Sequence, residues 1–143
     1  MARRVLLVGG DAQILAEVGE YLDHRDSEVE SVGYCDDALM LLRRRQLFDL
    51  VLVLSLNAPW RTWSSLSSPT PRNIGSTSAI MFLKQMRGLY NQVPVIVVSG
   101  NLRAEVEAEA LANGAFAFIP RPVNVDEFDR LVALALRNRD GNR

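Results

Sequence analysis

The sequence predicts an α/β fold, a doubly wound, five-stranded parallel sheet with helices on both faces. Three observations predict it. Apolar runs of strand length recur five times, and those at 50–54 and 93–98 are apolar at nearly every position, as strands buried on both faces must be. Between the runs lie stretches whose apolar residues recur at helical spacing. The two kinds of segment alternate to the end of the chain, so each strand joins the next through a right-handed crossover.

The first strand, residues 4–8, is β-branched and leucine-rich and ends at Gly9-Gly10. Asp11 can cap the first helix, in which Ile14, Leu15, Val18, Tyr21 and Leu22 share one face and which ends near Asp23-His24. Residues 29–34 alternate apolar with polar and read as an exposed or edge strand. Asp36 or Asp37 then opens the second helix, with Ala38, Leu39, Leu41 and Leu42 inward. Arg43, Arg44 and Arg45 fall in its last turn, where cations complement the helix dipole, and read as a solvated helix end. The third strand, 50–54, is entered through Phe48-Asp49. A third helix follows over about 78–90, with Ile80, Phe82, Leu83 and Met86 toward the core.

The fourth strand, 93–98, ends at Ser99-Gly100. The fourth helix, about 102–112, stops at Asn113-Gly114, a helix C-terminus signal. Residues 116–119 form the fifth strand. Asn124 or Asp126 caps the last helix, with Phe128, Leu131, Val132 and Ala135 inward. Residues 1–138 read as one domain and 139–143 as a frayed tail. Five such units suit the flavodoxin-like strand order 2-1-3-4-5, in which function sits beyond the carboxyl ends of the strands. The segments that matter are then Gly9 to Asp11, residues 55–59, Ser99-Gly100 and residues 120–122.

Composition narrows the function. Hydrophobic residues at 48% and charged residues at 23% are those of a globular domain, and 143 residues bury enough surface to need no disulfide or structural metal. A net charge of −1 gives no whole-chain signal for nucleic acid. One cysteine, Cys35, excludes an intramolecular disulfide, reads as an ordinary buried side chain and suits a reducing compartment. No apolar run approaches the ~20 residues a membrane helix needs, and no targeting region precedes the first strand, so a cytoplasmic protein is expected. His24 is the only histidine and sits at the far end of the first helix, which argues against triad hydrolases and histidine-rich zinc sites.

Residues 56–77 break the pattern. They are rich in Ser, Thr and Pro, have no hydrophobic period, and exceed the ~2–6 residues usual for such a connection. Trp60 and Trp63 are expected to fold back as a lid over the strand ends, with the rest of the insertion mobile.

Taken in order, several segments carry a resemblance. Val5-Leu6-Leu7-Val8 precedes a turn, Phe48-Asp49-Leu50-Val51-Leu52-Val53 enters the third strand, and Leu56-Asn57-Ala58-Pro59 follows it. Phe82-Leu83-Lys84-Gln85-Met86-Arg87, Val93-Pro94-Val95-Ile96-Val97-Val98-Ser99-Gly100, Asn113-Gly114-Ala115 and Pro120-Arg121-Pro122 complete the series. Together they resemble the receiver domain of response regulators over the chain from Arg4 to about Leu136. The resemblance implies a pocket with an acidic Mg²⁺ pair after the first strand, an aspartyl phosphoacceptor after the third and a lysine after the fifth.

This chain departs from that pattern at each part. The acidic pair falls at Gly9-Gly10, which offer no side-chain oxygen for a hard cation. The acceptor falls at Ser55 counted back from Pro59, or at Leu54 counted forward from Asp49. The lysine is replaced by Arg121, whose planar fork is not a compact ammonium. Asp11 is the one nearby acid; it reads first as a helix cap, and a lone carboxylate makes a poor Mg²⁺ site. Ser55 is a weak nucleophile with no neighbouring base. Arg121 is expected over the vacated pocket, paired with Asp11 or holding an anion. Ser99 and Phe118 match the hydroxyl and aromatic that receivers use as a switch, and read either as ordinary packing or as a pair that still moves.

The leading expectation is a degenerate receiver, or pseudo-receiver, with no metal, cofactor or catalysis. It would act as a phosphorylation-independent interaction module in two-component-type signalling. Its partners would be other signalling proteins such as a histidine kinase or an output protein, not nucleic acid or membrane. The resemblance places the partner surface on the fourth helix, fifth strand and fifth helix, including Arg103, Glu107, Ala110, Phe116 and Phe118, and admits a homodimer through it. Two rivals stand beside this reading. One is a switchable regulator with an atypical phosphate site. The other is a flavodoxin-like binder of a nucleotide or other anion at Gly9-Gly10 and Arg121; Gly9-Gly10-Asp11 before a helix suits a phosphate-cradling turn without completing a dinucleotide fingerprint.

Overall fold

The computed structural model describes residues 3–23, 27–45, 48–55, 78–89, 93–100 and 104–141. Among the described residues, ten elements follow one another: β1 (Arg3–Val8), α1 (Ala12–Asp23), β2 (Ser27–Val32), α2 (Cys35–Arg45), β3 (Leu50–Val53), α3 (Ser78–Leu89), β4 (Val95–Ser99), α4 (Ala104–Ala112), β5 (Ala117–Pro120) and α5 (Val125–Gly141). The sheet is parallel in the order β2-β1-β3-β4-β5, the expected doubly wound, flavodoxin-like arrangement.

Strand alternation sorts the core into two layers. Leu6, Val8, Val51, Val53, Val95 and Val97 face α2, α3 and α4, where Cys35, Ala38, Leu42, Ile80, Phe82, Leu83 and Met86 are buried. Val5, Leu7, Leu50, Leu52, Leu54, Ile96 and Val98 face α1 and α5, where they meet Ile14, Val18, Leu22, Phe128, Val132 and Ala135. The Tyr21 and Phe128 rings meet at 5.6 Å in a tilted pair that joins α1 to α5. Leu15, Tyr21, Leu39, Leu41 and Leu131 are only half-buried, because each sits at the margin of its helix's apolar stripe.

The helix ends follow from local chemistry. Asp11 caps α1 by accepting the Ile14 amide at 2.8 Å, and Asn124 caps α5 by accepting the Glu127 amide at 3.0 Å. At the end of α4, Gly114 takes φ 107°, its amide donates to the Leu111 carbonyl and that of Ala115 to Ala110, a Schellman motif. The Arg87 guanidinium donates to the Ala112 carbonyl at the same end.

Several boundaries shift by a residue or two from expectation, and three of the differences have a visible cause. β2 begins at Ser27, two residues early, because β1 sets its register and pairs Arg4 with Glu28. The guanidinium of Arg4 lies 3.6 Å from both Glu28 and Glu30 carboxylates. α2 starts at Cys35, so Asp36 and Asp37 lie in its first turn, where they complement the dipole rather than stand at the cap position. α5 runs on to Gly141, three residues past the expected end of the domain at 138; no helix breaker stands before that glycine. Among the described residues no helix is long and apolar enough to cross a membrane.

Candidate functional site

Four strand ends converge at the carboxyl edge of the sheet. Gly9 follows β1 with φ 74°, and its amide donates to the Val32 carbonyl at the end of β2. Gly10 follows with φ 91°, a region that L side chains rarely enter. Steric room fails as well: a Cβ on Gly10 would lie 2.9 Å from Ile14 Cγ2 and 2.9 Å from Leu54 Cβ. The space a Gly10 side chain would need is therefore filled with hydrocarbon.

Leu54 comes straight after β3. Its amide donates to the Val8 carbonyl at 2.9 Å, which carries the β1–β3 ladder one residue past the strand. Its side chain is 1% exposed and belongs to the cluster facing α1 and α5. Ser55 is next and half-buried. Ser99 ends β4 and is buried, in register with Pro120. Phe118 is half-buried against the α2–α4 side.

Arg121 follows β5. Its amide donates to the Ser99 carbonyl at 3.0 Å, and its guanidinium Nη1 stands 3.7 Å from Asp11 Oδ2. The expected Arg121–Asp11 pair is thus present. Asp11 also serves α1 as its cap, so its two oxygens are divided between the helix and the guanidinium. With side chains 32% and 61% exposed, the pair is screened by solvent. Arg121→Ala is accordingly expected to lower stability by no more than ~1 kcal/mol in urea denaturation. A loss above ~2 kcal/mol would show that the guanidinium has contacts beyond Asp11.

The remaining candidates divide. Glu107 is exposed and Phe116 half-buried, as a surface role allows. Ala110 is fully buried and cannot belong to an exposed partner surface. Its neighbours Glu107 and Leu111 face outward, and Ala110 carries the inward stripe of α4 with half-buried Val106. Arg103, Trp60, Trp63, His24 and the 56–77 insertion lie outside the described residues. Cys35 is buried in the core, where burial first and Asp36 second push its thiol pKa up to about 12, so it stays protonated and unreactive at neutral pH.

Two features escaped the sequence reading. Ile14 was assigned only to the core, yet it closes the space beside Gly10. At the opposite end of the sheet, Arg4 is ringed by Glu28 and Glu30 and lies 5.2 Å over the Phe48 ring. Opposite charges at paired positions of β1 and β2 were the available signal.

No family model matches the sequence, and no curated protein matches it. Solved structures do match in shape. The signal receiver domain of an HD domain-containing protein from Pseudomonas fluorescens Pf-5 superposes with a TM-score of 0.80 at 19% identity, over 99% of this chain and 92% of that one. A CheY-like response regulator receiver domain protein from Methanospirillum hungatei JF-1 gives 0.77 at 21%, over 100% of both chains. The fold is that of a response-regulator receiver domain. NtrX from Brucella abortus, solved in complex with ADP, matches at 0.76 and 22%; the chain spans only 28% of its length. In the receiver fold, the edge where Gly10, Leu54, Asp11 and Arg121 meet lies beyond the carboxyl ends of β1, β3 and β5, where doubly wound sheets place their sites.

Proposed function

We propose that this chain is a degenerate receiver that works by protein–protein contact in two-component-type signalling, without taking up phosphate. One observation carries the reading: Leu54 and Ile14 fill the space beside Gly10, where a phosphate-accepting receiver would present carboxylates. Asp11, the acid beside Gly10, already serves α1 as cap and Arg121 as counter-ion. Such an arrangement supplies neither an oxygen cage for Mg²⁺ nor a nucleophile for phosphorus. The module would have no catalysis of its own, and its partners would be a kinase, an output protein or a second copy. The surface formed by α4, β5 and α5 keeps Glu107, Phe116 and Phe118 from the expected set, without Ala110.

The test is direct. Incubation with acetyl phosphate and Mg²⁺ is expected to leave the mass unchanged. Beryllofluoride should leave the amide resonances of Gly9 to Asp11 and of Arg121 in place. A mass gain of one phosphoryl group, mapped to this edge of the sheet, would overturn the reading.

A further inference from the structure

We propose that the Asp11–Arg121 ion pair is a latch that holds the loop between β5 and α5 against the head of α1. Both ends of the pair are anchored. Asp11 Oδ1 accepts the Ile14 amide at 2.8 Å, which orients the carboxylate and leaves Oδ2 for the guanidinium 3.7 Å away. The Arg121 amide donates to the Ser99 carbonyl, which fixes the root of that side chain to the end of β4. Three residues further on, Asn124 caps α5 with its side chain and accepts the Phe128 amide with its carbonyl.

The sheet itself does not make this connection. β1 and β5 are separated by β3 and β4, so no ladder joins their carboxyl ends. The ion pair spans that gap and ties the start of α1 to the loop that launches α5. Its ends are partly solvated, so the latch is weak, reversible and sensitive to salt. In consequence, the loop between β5 and α5 is held to α1 by a charge built into the chain, and it loosens when ions screen that charge. The inference goes beyond the functional reading above and does not depend on which partner the module meets.

Native-state amide exchange of the Arg121 N–H tests it, since that proton is released only when the loop lifts from Ser99. Asp11→Asn removes the charge and keeps a capping side chain, which separates the latch from the helix cap. Asp11→Asn and Arg121→Gln are each expected to speed exchange by about two- to five-fold, the range an exposed pair supports. The double variant should be no faster than either single one. Raising salt from about 0.01 M to 1 M shortens the screening length from ~30 to ~3 Å. It should bring the native protein to the Asp11→Asn rate and leave that variant unchanged. Unaltered exchange in the single variants, additive effects in the double, or an equal salt response in Asp11→Asn would each overturn the latch. None of these measurements reads phosphoryl transfer, so phosphate uptake would overturn the functional reading and leave the latch standing.

Discussion

Replacing Gly10 by aspartate, the acid that the receiver resemblance implies at this position, is expected to destabilise the protein by about 2–4 kcal/mol. Two terms add. The backbone at φ 91° is strained for any residue with a Cβ, by roughly 1–2 kcal/mol, with aspartate at the tolerant end. The new Cβ would also lie 2.9 Å from Ile14 Cγ2 and from Leu54 Cβ, and forcing atoms into filled space costs about 1–3 kcal/mol. Shortening Leu54 to alanine would not relieve the contact, because the clashing atom is the Cβ that alanine keeps. Gly10→Ala separates strain from charge and should account for most of the loss. A Gly10→Asp protein within ~0.5 kcal/mol of the native one in urea denaturation would show that the space is open.

The architecture was legible because its signals are local and agree with one another. Continuous apolar runs gave β3 and β4, helical spacing gave the inward residues of α1, α3 and α5, and Asn113-Gly114 gave the end of α4. The differences arise where a tertiary partner decides. Residues 27–34 alternate smoothly enough that no point in them marks a strand start; the register came from β1 and from the charge of Arg4 opposite Glu28. The resemblance places Ala110 on the partner surface, yet it is buried; alanine carries no preference strong enough to choose a face in a helix so rich in it.

The candidate site was legible in part. Two glycines after the first strand, one acid beside them and an arginine after the fifth strand predicted the Asp11–Arg121 pair. Counting left the choice between Leu54 and Ser55 open, and geometry distinguishes their surroundings. Leu54 continues the ladder to Val8 and is buried beside Gly10, whereas Ser55 is half-buried beyond it. The contact among Gly10, Ile14 and Leu54 joins residues up to 44 positions apart, taking Gly10 at one end and Leu54 at the other, so no local pattern announces it.

Leu54→Asp, which would place an acceptor carboxylate after the third strand, is expected to be the most damaging change at this edge, at about 3–5 kcal/mol. The leucine is 1% exposed in the cluster that faces α1 and α5, with Leu52 and Ile14, and its side chain closes on Gly10. Removing a buried leucine side chain and leaving a gap costs about 2–5 kcal/mol. Putting an ionised carboxylate into that space adds a desolvation penalty that only a close cation could offset. Arg121 is the described cation at this edge, and it is already engaged with Asp11. Leu54→Met serves as the control, since a swap of similar volume should cost less than ~1.5 kcal/mol. Chemical denaturation of the two variants decides the matter. If Leu54→Asp lost less than ~1 kcal/mol, position 54 would be solvated and the hydrocarbon closure would be wrong. If the loss is as large as expected, the hydrocarbon contact among Gly10, Ile14 and Leu54 is part of the core, and a carboxylate placed at position 54 destabilises the fold.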